Sequence, residues 1–159
     1  MGKQLRAVSE VSLKDLVKDL TKAYADEWLA FYLYWYMAQT VSGKGYEDMA
    51  EMLKKIASQE LEHATELADL IIKLGGLPIA NPMEIEKNAN APYMTPPKNS
   101  ADYNRIIRIV TEAEAAAIDV YTKIAKKTFG KDAVTYQLVT HILSEEADHE
   151  EMFENLLER

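Results

Sequence analysis

Two short stretches of the sequence pair a carboxylate with an imidazole at helical spacing. Glu60 is followed three residues later by His63, and Glu146 by His149. Residues three apart share one face of an α-helix, so each stretch directs both side chains the same way. A single Glu-x-x-His pair occurs by chance in many charged helices. Two such pairs are a stronger indication of a shared site.

Each pair lies downstream of another glutamate, at nearly the same interval. Glu27 precedes Glu60, and Glu114 precedes Glu146. Both upstream glutamates interrupt an apolar stripe, where a charge is costly unless it has a partner. The chain therefore has two similar halves, each with a lone Glu followed by Glu-x-x-His. This is a ligand set for two metal ions inside a four-helix bundle.

Taken singly, these residues have ordinary explanations, because a buried Glu is usually salt-bridged and a helical His is usually a core residue. Together, however, they occupy matching positions on the apolar faces of four predicted helices. This favours one site that is both metal-binding and catalytic, formed by Glu27, Glu60, His63, Glu114, Glu146 and His149. Two divalent cations would balance four buried carboxylates. Carboxylate with imidazole suits iron, manganese or zinc. We expect Glu60 and Glu146 to bridge the metals, with the other two glutamates capping one metal each.

Two tyrosines repeat this symmetry. Tyr34 follows Glu27 by seven residues, and Tyr121 follows Glu114 by seven. They would either hydrogen-bond to the metal ligands or pack as plain aromatic core, and the sequence leaves both open. His141 has no counterpart in the other half, so we interpret it as structural or exposed. Other acidic residues are expected mainly on the outer face of the last helix: Glu145, Glu150, Glu151 and Glu154.

Four long helices must position the site. Apolar residues recur at intervals of three and four, which predicts helices roughly over residues 12–42, 46–75, 100–129 and 132–157. We expect Ser12 and Asp132 to be N-caps. All five prolines lie between Gly75 and Ser100, which indicates a long crossover connection between the second and third helices. The prediction is one all-α domain over residues 1–159, a four-helix bundle.

The segment from Phe31 to Met37 is apolar or aromatic on every side of its helix. A four-helix bundle buries only one side of such a helix. Either another subunit or the proline-rich segment must therefore cover the rest.

Composition excludes several classes of protein. The chain of 159 residues contains no cysteine, which excludes disulfides, thiolate ligands and thiol catalysis. Its net charge of −8 argues against a sequence-independent grip on DNA. We find no signal peptide and no long apolar run, so we expect a cytoplasmic protein without a membrane segment.

The sequence resembles the ferritin-like di-iron carboxylate family, most closely its Dps-like, bacterioferritin-related group. The similar stretches are Glu27-Trp28, Leu74 to Pro78, Ala113-Glu114, Gly130 to Asp132 and Glu145 to Glu150. The resemblance places Leu61 where bacterioferritins have a haem-binding Met, so no haem is expected. It places Ala116 and Ala125 where many of the group have a cysteine pair, so no thiol-linked redox role is expected.

The resemblance implies a ferroxidase and iron-storage protein that protects against oxidative stress. Fe²⁺, two ions per subunit, would be oxidised by hydrogen peroxide or dioxygen and stored as Fe³⁺ mineral in a hollow homo-oligomeric cage. Manganese and zinc are the alternative metals. Relatives that assemble as 24 subunits have a short fifth helix, and we expect none here, which favours a dodecamer over the larger ferritin cage.

Three other functions compete with this one, and the net charge disfavours the first of them, a DNA-protecting scaffold. A rubrerythrin-like di-iron peroxidase without storage usually needs an electron donor, and no Cys-x-x-Cys segment is present. A purely structural bundle with zinc or manganese is the third alternative.

Overall fold

The computed structural model describes residues 3–157. Within that range the chain forms α-helices and no β-strand. The helices are α1 (Lys3–Val8), α2 (Leu13–Thr40), α3 (Tyr46–Lys73), α4 (Ile85–Asn88), α5 (Tyr103–Thr128) and α6 (Ala133–Leu157), with a 3₁₀-helix at Pro82–Glu84. The predicted all-α bundle with a long crossover is confirmed, and its four long helices are α2, α3, α5 and α6. None of the helices within residues 3–157 is long and apolar enough to cross a membrane.

Polar side chains fix the starts of α2 and α6. The hydroxyl of Ser12 accepts a hydrogen bond from the backbone N–H of Asp15 at 3.4 Å. A carboxylate oxygen of Asp132 accepts one from the N–H of Thr135 at 2.9 Å. Each side chain satisfies one of the N–H groups that the first turn of a helix leaves unpaired. Both N-caps are those expected from the sequence.

The start of α5 differs from the sequence-based expectation. The helix begins at Tyr103 with Asp102 as its N-cap, and not near Asn99 or Ser100. Ser100 instead contacts the connection between α2 and α3. Its carbonyl accepts a hydrogen bond from the N–H of Ser42 at 3.2 Å, and the hydroxyls of the two serines lie 2.8 Å apart. This tertiary contact holds Ser100 outside the helix.

Two adjacent glycines end α3. Gly75 has a φ of 94°, a conformation that side chains rarely adopt. Gly76 lies so close to α2 that a Cβ atom there would come within 2.6 Å of a methyl group of Val17. The chain can therefore turn tightly into the crossover while α3 stays packed on α2.

The four long helices surround a core that is apolar at both ends. α2 packs on α3 and on α5, and α6 packs on α5 and on α3. One apolar cluster includes Leu53 and Val110, and the other includes Leu67 and Ile142. On each long helix the predicted site residues lie between these clusters. The two apolar clusters thus flank one polar layer, which contains the predicted site residues.

Three large side chains of α2 remain exposed. Tyr32 is 53% exposed, Trp35 44% and Tyr36 40%, and together we call them the aromatic patch. Tyr93 of the crossover lies against Tyr32, with ring centroids 6.3 Å apart. The proline-rich segment therefore covers only part of this face.

Truncating a core residue beside the polar layer should be costly. Leu67 is fully buried one helical turn beyond His63. We expect Leu67→Ala to lower the free energy of unfolding by about 2–5 kcal/mol, because it removes apolar contacts and leaves a cavity. Leu77→Ala is the matched control, since Leu77 is 83% exposed. Its effect should stay within about 0.5 kcal/mol. Equal effects of the two changes in denaturant unfolding would contradict this packing.

Candidate metal centre

The structure brings all six predicted site residues together in the middle of the bundle. Glu27 comes from α2 and Glu114 from α5. α3 supplies Glu60 and His63, and α6 supplies Glu146 and His149. All six side chains are buried, none more than 3% exposed. The helical spacing of three residues puts each Glu and its His on the inward face, as the sequence pattern requires.

The ligand atoms form two groups that share two glutamates. One group is Glu27, Glu60, His63 and Glu146, and the other is Glu60, Glu114, Glu146 and His149. Within each group the potential ligand atoms lie within 4.8 Å of one another. The shared residues, Glu60 and Glu146, are the two that the sequence pattern predicts as bridges. The geometry therefore accommodates two ions side by side.

Both imidazoles face this centre through Nδ1. Nδ1 of His63 lies 2.9 Å from Glu146 Oε1 and 3.6 Å from an oxygen of Glu27. Nδ1 of His149 lies 3.3 Å from an oxygen of Glu60 and 3.3 Å from one of Glu114. The ring centroids are 6.3 Å apart. Each half of the chain thus contributes one nitrogen ligand to its own end of the centre.

The two tyrosines cross between the halves. Tyr34 of α2 donates its hydroxyl hydrogen bond to Glu114 of α5, and Tyr121 of α5 donates to Glu27 of α2. The sequence left open whether these tyrosines bond to the ligands or only pack in the core. Each in fact holds one oxygen of a terminal carboxylate, so that the other oxygen lies beside the histidine of its own half.

Burial and mutual repulsion dominate the electrostatics of the site. Burial raises the pKa of Glu27 and of Glu114, and the charge of Glu60 raises both further. Burial would also raise the pKa of Glu146, but the close approach of Glu114 and of the two histidines brings it below its usual value. The pKa of the two terminal carboxyl groups and that of Glu146 thus shift in opposite directions.

The histidines respond in the opposite sense. Burial alone would lower the pKa of His63 and of His149. The surrounding carboxylates outweigh it, raising the pKa of His63 far above its ordinary value and that of His149 to about 12. The surrounding carboxylates thus favour positive charge at this centre, which divalent cations would supply.

Unpaired buried atoms support a metal at this position. Glu60 Oε1, Glu146 Oε1 and His63 Nδ1 are buried and have no hydrogen-bond partner. His63 Nδ1 and Glu146 Oε1 are close, but they are not aligned as a hydrogen bond. A buried polar atom without a partner is costly. Coordination to a cation would satisfy all three, so the residues present fit two divalent ions.

A small cavity of about 100 Å³ adjoins the centre. Glu27, Glu60, Glu114 and Glu146 form its inner end, and the crossover closes it from outside through residues 90–92 and Met94. Asp26 holds the crossover in place here, because its carboxylate accepts hydrogen bonds from the backbone and side-chain amides of Asn90, at 2.7 and 2.5 Å. The cavity has room for molecules the size of water.

One contact corrects the sequence-based interpretation. Glu145 was expected mainly on the outer face of α6, but its carboxylate lies 2.7 Å from Nε2 of the buried His63. The side chain is one-third exposed and spans the boundary between the site and the surface. Its position directly before Glu146 is the only signal that could have identified it. His141 is exposed and lies 3.8 Å from the same carboxylate.

Known proteins are similar to this chain over most of its length. The sequence pattern of the ferritin-like domain matches residues 17–159. The DNA protection during starvation protein of Pyrococcus furiosus is 33% identical over 147 residues, which cover 92% of this chain and 79% of that protein.

Solved structures give the same result. The chain superposes on the dodecameric thioferritin of Bacteroides fragilis, a bacterioferritin-related protein, with a TM-score of 0.89 and 33% identity. That match covers 96% of this chain and 89% of the other. Dps from Thermosynechococcus elongatus superposes with a TM-score of 0.84 at 18% identity, over 91% and 92% of the two chains, and this similarity concerns the fold alone.

The matched range includes all six residues of the buried centre. Two relatives share a third of their aligned residues with the chain over more than nine-tenths of its length. The chain therefore belongs to the ferritin-like family, and Dps and bacterioferritin-related proteins are among its relatives.

Proposed function

We propose that this protein is a ferroxidase that stores iron and thereby limits oxidative damage. The observation that carries the proposal is the pair of buried ligand groups that share Glu60 and Glu146. Two adjacent positions for Fe²⁺ allow one oxidant molecule to take an electron from each ion. Iron is here the substrate, and hydrogen peroxide or dioxygen is the oxidant.

The ligands divide the work of binding between them. Glu60 and Glu146 hold the two ions side by side, and each terminal carboxylate and imidazole completes one position. Tyr34 and Tyr121 keep the terminal carboxylates oriented through their hydrogen bonds. With peroxide, two Fe²⁺ lose one electron each, the O–O bond breaks, and two protons are taken up to give two molecules of water. Protons displaced from the ligands on metal binding are available nearby.

The adjoining cavity gives a place for the oxidant. Its volume of about 100 Å³ accommodates dioxygen or peroxide but not a large organic substrate. It is lined on the α5 side by small side chains, Ala113, Ala116 and Ala117. Because carboxylates of both ligand groups border the cavity, an oxidant there would reach both ions.

Storage requires an enclosed space, which we propose a homo-oligomer supplies. The aromatic patch on α2 exposes three large side chains close together, and contiguous apolar surface of this kind is typical of an interface. A two-fold contact would place each patch against its own copy. The thioferritin of Bacteroides fragilis is dodecameric, and we propose the same assembly for this chain.

Protection of DNA would follow from this chemistry without DNA binding. The relative from Pyrococcus furiosus is named for DNA protection. The present chain has a net charge of −8, which opposes binding to phosphates. Removing Fe²⁺ and peroxide together suppresses the reaction that makes hydroxyl radicals, so protection needs no contact with the nucleic acid.

Removing both shared carboxylates should abolish rapid oxidation. We expect the double variant Glu60→Gln and Glu146→Gln to oxidise Fe²⁺ at least about 100-fold more slowly, because neither position keeps its bridging ligands. Oxidation is followed by the absorbance of Fe³⁺ after mixing with peroxide, and circular dichroism checks the helical fold.

The matched control for this experiment removes two surface charges from the same helices. Glu62 and Glu151 are exposed on α3 and α6. The double variant Glu62→Gln and Glu151→Gln should oxidise iron at the native rate. Native-rate oxidation by the folded Glu60 and Glu146 variant would show that the reaction occurs elsewhere.

Assembly is tested by mass and by a charge placed in the aromatic patch. The native protein should scatter light as a particle of about twelve chains of 18.0 kDa. Trp35→Glu should yield smaller species, because a charge would be buried in the contact. Met83→Glu is the control, since Met83 is 84% exposed outside the patch. A native mass of one or two chains would rule out the cage, although the oxidation chemistry could persist.

A further inference from the structure

The two metal positions have matching ligands. Each position takes one histidine, one terminal glutamate and the two shared glutamates. Each terminal glutamate accepts a hydrogen bond from a tyrosine of the opposite half. Each histidine turns Nδ1 toward the carboxylates, so that Nε2 points away from them. In these respects the internal two-fold symmetry of the chain is complete.

The two halves differ at Nε2, the imidazole nitrogen that points away from the metal positions. Nε2 of His63 lies 2.7 Å from a carboxylate oxygen of Glu145. Nε2 of His149 is buried and has no hydrogen-bond partner. The residue that corresponds to Glu145 in the first half is Gln59, since one directly precedes Glu146 and the other directly precedes Glu60. The amide oxygen of Gln59 is likewise buried without a partner.

This difference changes the strength of the two histidine ligands. An imidazole that binds a metal through Nδ1 carries its hydrogen on Nε2 and donates it outward. A carboxylate acceptor fixes that tautomer and makes the ring a stronger electron donor to the metal. A neutral amide oxygen accepts a weaker hydrogen bond, because it has no full negative charge. His63 is therefore the better ligand of the two.

We infer that the two positions are unequal in affinity, and that the position of His63 is filled before that of His149. Glu145, which lies against Nε2 of His63, is the positioning residue that sets this order, and Gln59 holds the equivalent place in the sequence of the first half. The inference rests on the dinuclear site of the proposed function. The terminal ligands and their tyrosines match, so the order depends on the residue behind each imidazole.

Ordered filling has a consequence for the chemistry. An ion held at the first position would wait beside an open second position, and the oxidant would meet two reducing ions only when the second is filled.

The test is an anaerobic titration of the assembled, metal-free protein with Co²⁺, which reports its ligands by visible absorption and its affinity by calorimetry. The native protein should bind two ions per chain in two resolved steps. Glu145→Gln should weaken the first step by about 10- to 100-fold and shift its absorption band, while the second step changes little. The substitution keeps the shape of the side chain and removes only its charge.

Two further variants make the result specific. Gln59→Glu should strengthen the second step, because it supplies the carboxylate that His149 lacks. Glu151→Gln removes a charge from the exposed face of α6 and should leave both steps unchanged. Two native steps of equal affinity, or a Glu145→Gln titration identical to the native one, would overturn the inference and leave the proposed function intact. A native protein that binds no Co²⁺ would overturn both.

Discussion

The burial of four carboxylates in one core is the constraint on which the rest of the structure depends. Carboxylates repel one another, and taking each from water into an apolar interior is costly. The structure meets this cost by bringing oppositely charged or proton-donating groups to every one of them. Two histidines and two tyrosines reach the carboxylates from the four helices. Apolar clusters on both sides exclude water and fix the helices at the register that these contacts need.

Internal repetition explains how one chain builds such a centre. Each half supplies a lone Glu, a tyrosine seven residues later and a Glu-x-x-His pair. The tyrosines bond across the halves, so neither half can complete its ligands alone. The long crossover between α3 and α5 allows the pair α5 and α6 to pack beside the pair α2 and α3. Because the repeat is approximate, residues 59 and 145 are free to differ, and the two metal positions need not be equal.

Much of this arrangement could be predicted from the sequence, because apolar residues at intervals of three and four fix which helical face is inward. Glu27 and Glu114 stand out since a charge in such a stripe needs a partner. Glu145 does not stand out, because helical periodicity cannot distinguish an exposed carboxylate from one that reaches back to a buried histidine. The start of α5 depends on the contact between Ser42 and Ser100, which lie far apart in the chain. The partners of Tyr34 and Tyr121 are also set by tertiary packing.

The function proposed for this protein requires that the six buried residues bind two ions at adjacent positions. Anomalous X-ray diffraction from crystals grown with Zn²⁺, measured on both sides of the zinc absorption edge, tests it directly. The account predicts two strong peaks within the bundle, one beside His63 and Glu27 and the other beside His149 and Glu114, both in contact with Glu60 and Glu146. A single peak within the bundle, or peaks on the outer surface alone, would contradict it.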